Sequence, residues 1–140
     1  MKKSSLHIVR WDTIISDEEG LYFEKLTHNE DIRVYFKNEK GDTYIVLASD
    51  VITYQVSDEE VLTAYWDATR DSKIGWTRIL KNSELLSRAK FFESEPLLKH
   101  YLVATYDYCL EMICLKQPAV LKDNTDLTGF GNLSGLSGKK

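Results

Sequence analysis

Glycine is scarce before the C-terminal tail: only Gly20, Gly41 and Gly75 occur there, each isolated. Phosphate and dinucleotide loops need several glycines close together so that backbone amides can approach the ligand, and Gly129-Phe130-Gly131 in the tail follows no strand and opens no helix. A P-loop or dinucleotide fold is therefore not expected. Histidine is as sparse. His7, His28 and His100 lie far apart and form no HxH or HExxH pattern, so neither a metal site nor a cofactor is expected. The two cysteines, Cys109 and Cys114, match neither a zinc knuckle nor a CxxC redox pair. In apolar company, next to Asp107 and Glu111 rather than to cations, they read as buried structural thiols and not as nucleophiles. A reducing cytoplasm is the simplest compartment for them.

Long apolar runs are also missing. No stretch approaches the roughly 20 residues of a membrane span, and Arg10 and Asp12 interrupt MKKSSLHIVRW before it could serve as a signal peptide. Positive charge is not in excess. A net charge of -4 and a pI near 5.4 disfavour nucleic-acid backbones and anionic membranes, and the lysines and arginines are scattered.

What is present suits a packed domain. The 140 residues are 43% hydrophobic and 29% charged, which fits one globular unit. Residues 1–122 read as a single α+β domain, and 123–140 as a Gly/Ser-rich, flexible tail. Leu6–Ile15 is rich in β-branched and aromatic residues and ends in turn chemistry, and Leu21–Leu26 is a weaker strand. Ile32–Lys37 alternates apolar and polar, Asn38–Asp42 supplies a turn, and Thr43–Ala48 and Val51–Val56 follow. Links this short predict one antiparallel meander.

Ser57-Asp58-Glu59-Glu60 reads as a capping box, with Val61, Leu62, Tyr65, Trp66 and Thr69 on the stripe of the helix after it. Gly75–Leu80 returns as a strand. Asn82 or Ser83 can cap a second helix over Glu84–Glu93, with Pro96 marking its end. His100–Thr105 reads as a strand, but Tyr106–Lys116 fits two structures. A helix capped by Thr105 is preferred, because Leu, Glu, Met and Lys are good helix formers. A hairpin turning at Tyr106-Asp107 is the alternative, and it sets Glu111 diagonal to His100. The resulting expectation is an antiparallel sheet of about five strands, packed on one face by two or three helices.

No catalytic signature emerges. The expected function is a small acidic binding protein without catalysis that engages a basic protein partner, in the manner of an inhibitor or immunity-type protein. Its surface would comprise Asp17, Glu18 and Glu19 with Tyr35 and Trp76, since tyrosine and tryptophan offer large contact area at little entropy cost. Homo-dimerisation through the same surface is equally compatible. The competing expectation is a small-ligand binder or enzyme with His100 and Glu111 in a pocket between sheet and helices, the carboxyl made basic by its apolar setting.

Overall fold

The computed structural model describes residues 6–18, 20–69, 74–89 and 98–123. Among the described residues, nine strands form two antiparallel sheets: β1 His7–Arg10, β2 Tyr22–His28, β3 Ile32–Lys37, β4 Thr43–Ala48, β5 Val51–Asp58, β6 Thr77–Lys81, β7 Lys99–Val103, β8 Tyr108–Cys114 and β9 Ala119–Asp123. The first sheet has the order β1-β6-β7-β8-β5 and the second β2-β3-β4-β9. A 3-10 helix, Glu59–Leu62, leads into α1, Thr63–Ala68, and α2 spans Glu84–Ala89. The architecture is sheet-dominated: two stacked sheets and two short helices replace the expected single sheet under two or three helices.

The β3–β4 hairpin forms as the alternation predicts. Ile32, Val34 and Phe36 are buried while Arg33 is exposed. Its turn is held by Asn38, whose Oδ1 accepts from the backbone nitrogens of Lys40 and Asp42 at 3.0 and 2.9 Å. The meander ends there. Asp50, in the left-handed region at φ 54°, turns the chain so that β5 crosses to the other sheet and pairs with β8. Side chains of Val34, Phe36, Tyr44 and Val46 from one sheet then meet Tyr101, Val103, Leu110 and Met112 from the other in the main core.

The larger sheet is covered on its second face too. Leu62 packs there with Leu80, Leu102 and Cys109, and Leu86 and Ala89 of α2 pack with Leu98 and Ile113. β8 is consequently buried on both faces, with Cys109 through Cys114 all at 0% exposure. This corrects the preferred helix over 106–116: the segment is the second strand of the alternative hairpin. A strand buried on both sides loses its period-two alternation and cannot be told from a buried helix by pattern.

Two capping expectations fared differently. Ser83 does cap α2, its Oγ accepting from Leu86 N at 3.1 Å. The Ser57–Glu60 box does not form: Ser57 remains in β5, and Asp58 Oδ1 accepts from Glu60 N at 2.9 Å instead. The expected second helix beyond Ala89, Pro96 and the tail from 124 onward lie outside the described residues. β9, which no sequence signal marked, closes the smaller sheet against β4.

The end of the sandwich is tied by a hydroxyl cluster. Ser16 Oγ and Thr77 Oγ1 both donate to Trp11 O, at 2.8 and 2.6 Å, and Trp76 N donates to Ser16 O at 2.8 Å. Gly75 makes that approach feasible: it has φ +82°, and a Cβ there would lie 2.5 Å from Ser16 O. Gly41 also has a positive φ, but nothing lies within 4 Å of its would-be Cβ. Gly75→Ala should therefore lower unfolding stability in urea by about 2–3 kcal/mol, and Gly41→Ala by about 1 kcal/mol, since only the first adds a backbone clash to the left-handed strain. Equal midpoints for the two variants would contradict this packing.

Candidate functional site

Two clusters merit functional scrutiny, one enclosed and one on the surface. The enclosed one starts from strand register. Glu111 on β8 stands opposite Gln55 of β5 and Leu102 of β7, which places it diagonal to His100. His100 Nε2 and Glu111 Oε1 are 2.9 Å apart, and both side chains have 0% exposure. Tyr65 OH of α1 donates to the same oxygen at 2.7 Å, and Gln55 Nε2 donates to Oε2 at 2.8 Å. On the far side of the ring, Ser83 Oγ lies 2.6 Å from His100 Nδ1.

With the imidazole proton on Nε2, both ring nitrogens and the Ser83 hydroxyl are satisfied: Ser83 donates to Nδ1 while accepting from Leu86 N, and Nε2–H donates to Glu111. Burial alone would push the Glu111 carboxyl up. The hydrogen bonds from His100, Gln55 and Tyr65 outweigh it and hold the group below the ordinary glutamate range. Tyr65 responds in the opposite sense: burial and the adjacent Glu111 carboxylate push its phenol far above the usual tyrosine range.

A serine, a histidine and a glutamate in line resemble the parts of a nucleophilic triad, but their surroundings differ from what that chemistry requires. Ser83 is 2% exposed and already engaged as a helix cap. A nucleophile needs an approach for substrate and oxyanion donors beside it. The groove of about 840 Å³ over the β2–β3 turn, lined by Thr27 to Asp31, Arg33 and Tyr35, is not lined by any member of this network. Nor is the groove of about 450 Å³ between β5 and α2. Among the described residues, no three His, Cys, Asp or Glu side chains are grouped to hold a metal ion.

The surface cluster surrounds the β7–β8 turn. Asp107 organises it: its Oδ1 accepts from Phe23 N at 3.0 Å, Thr105 Oγ1 at 2.9 Å and Tyr108 N at 2.7 Å. Tyr106 N donates to Leu21 O, and Glu59 N to Asp107 O. This pinning presents Tyr22, Tyr106 and Tyr108, exposed by 42%, 49% and 45%. The Tyr106 ring stands edge-to-face against both Tyr22, at 5.5 Å, and Trp76, at 5.9 Å, while Tyr108 meets Phe23 at 6.2 Å. Carboxylates adjoin the rings. Asp58 is the cross-strand partner of Tyr108, and Glu59, Glu60 and the 67% exposed Val61 follow it.

The residues anticipated for a partner surface are dispersed. Asp17 forms a two-pronged ion pair with Arg10, at 3.0 and 2.8 Å, which holds its carboxyl below the usual range. Glu18 accepts from Asn38 Nδ2 at 2.9 Å, so it secures the β3–β4 turn. Glu19 lies outside the described residues. Tyr35 sits on the outer face of the smaller sheet, with the Lys25 ammonium 4.7 Å from its ring centre. Among the described members of this set, Trp76 reaches the aromatic cluster. Tyr106 and Tyr108 were missed because the helical reading of 106–116 placed them along a helix rather than at a turn. The two cysteines are free and buried, and burial pushes Cys109 up to about 11 and Cys114 to about 12.

No family model, curated protein or solved structure matches the chain. Among the described residues, no helix is long and apolar enough to cross a membrane.

The enclosed network makes a stability prediction. A carboxyl whose folded-state pKa is depressed stabilises the fold above the ordinary glutamate value, and that contribution is lost as pH falls through the depressed one. Wild-type unfolding free energy should thus drop below about pH 4. Tyr65→Phe should cost about 1.5–3 kcal/mol at pH 7. His100→Ala should cost about 3–5 kcal/mol, because it strands a buried charge. Urea titrations across pH 3–7 measure all three, and a Glu111→Gln variant should show a flatter acid limb than wild type.

Proposed function

We propose that this chain is a protein-binding module, without catalysis of its own, that engages a basic partner through the acidic and aromatic surface at the β7–β8 turn. The observation that carries the reading is the set of three half-exposed tyrosines at this turn, Tyr22 and Tyr106 packed edge-to-face on each other and Tyr108 on Phe23, with Asp58 opposite Tyr108 and Glu59 and Glu60 following it. Scattered exposed aromatics need no explanation, whereas three gathered around one pinned turn resemble the anchors that dominate binding energy. Rigid rings add contact area at small entropic cost, and the carboxylates steer a partner of opposite charge.

An inhibitor or immunity-type role, directed at a basic enzyme, fits this surface and the net charge of -4. A cytoplasmic setting fits the two free thiols. The His100–Glu111 network weighs against a ligand pocket, since both ring nitrogens of His100 and both carboxylate oxygens of Glu111 already have partners.

The test is affinity capture from the native cell, followed by calorimetry on the protein retained. A Tyr106→Ala, Tyr108→Ala double variant should bind at least about tenfold more weakly, the loss of a modest hot spot. Glu59→Gln with Glu60→Gln should flatten the salt dependence, and Asp17→Asn should leave binding unchanged. Undiminished binding by the tyrosine variant would contradict the proposal.

A further inference from the structure

The outer edges of the two sheets are guarded unequally. β1 is only four residues long and carries His7 and Arg10. β2 carries Glu24 and Lys25 and is bulged between Phe23 and Lys25. β9 follows Pro118 and carries Lys122 and Asp123. Charges, proline, bulges and shortness are the devices that keep a sheet edge from pairing with another chain. β5 lacks most of them. It is eight residues long with no charge from Val51 to Ser57, and among the described residues it is paired on one side only, to β8. Its bulge lies at the Val51–Thr53 end, so Thr53 to Asp58 run in unbroken register. Ile52 and Val56 stand 43% and 37% exposed on it.

A second observation lies alongside. The groove of about 450 Å³ is lined by Ile52 and Thr53 of β5 and by Leu85, Arg88 and Ala89 of α2, so it runs between the edge strand and the helix. The larger sheet thus has a helix-flanked berth beside an unguarded edge.

We propose that β5 pairs with β5 of a second copy of this chain, antiparallel about a two-fold axis, joining two five-stranded sheets into one. Such an edge is self-complementary by construction, because its free N–H and C=O groups alternate and a two-fold rotation sets donors against acceptors. Register favours a copy as well. Centred on Gln55, the pairing sets Tyr54 against Val56 and Ile52 against Asp58, so no like charges meet within β5, and the acidic end of each strand comes beside Arg88 of the other copy. This association does not depend on the tyrosine surface.

Sedimentation equilibrium of the full chain, from micromolar to millimolar concentration, tests it. Wild type should show twice the 16.2 kDa chain mass. Ile52→Lys and Val56→Lys, each at an exposed position and with unchanged circular dichroism, should each shift the dimer constant at least tenfold toward monomer, and Arg88→Glu should weaken it most at low salt. A wild-type monomer across the range would overturn the inference. So would a dimer indifferent to both lysines, and so would one dissolved only by the Tyr106→Ala, Tyr108→Ala variant, which would place the contact on the aromatic surface.

Discussion

A carboxylate stands inside a sheet that is covered on both faces, on the strand next to its edge, and the larger sheet can close over it only because three donors meet its two oxygens. Glu111 receives His100 and Tyr65 on one oxygen and Gln55 on the other. An isolated charge in that position would cost several kcal/mol in lost hydration. The donors come from four different elements once Ser83 is counted behind the imidazole: β7, α1, β5 and the cap of α2. A single buried charge therefore fixes where both helices sit on the sheet. Apolar packing alone is non-directional and would specify that placement less sharply.

The same constraint reaches the surface. Tyr65 anchors α1 to Glu111, and the neighbouring Trp66 donates its indole N–H to Glu59 O at 2.7 Å. The 3-10 helix bearing Glu59 and Glu60 is thereby held against the β7–β8 turn, whose Asp107 fastens the start of β2. Interior polar bonds and exterior carboxylates form one continuous scaffold, and the tyrosines stand on its rigid part. The edge strand β5 belongs to it as well, through Gln55.

Legibility in the sequence varied with how local each signal was. The β3–β4 hairpin was readable from alternation and turn residues because one of its faces meets solvent. The Ser83 cap was readable for a similar reason, being a contact within three residues. The second sheet was not, since nothing in the period of Val51 to Val56 says that the chain turns at Asp50 and changes sheets. β8 was ambiguous because burial on both faces erased its alternation, and that ambiguity concealed the exposed positions of Tyr106 and Tyr108. Glu111 stood out as a lone carboxylate in an apolar run, and the hairpin register alone placed it near His100. Tyr65 and Gln55 carried no signal: they reach Glu111 across 46 and 56 positions, a convergence that only the folded topology supplies.

The state of that carboxylate is the most direct point of attack. Carbon-13 NMR titration of the Glu111 side-chain carboxyl would read its protonation in the intact fold. An ionised Glu111 that resists protonation to below the ordinary glutamate range is the predicted result. A Glu111 that takes up its proton above that range would mean that burial outweighs the three donors, and would contradict the account.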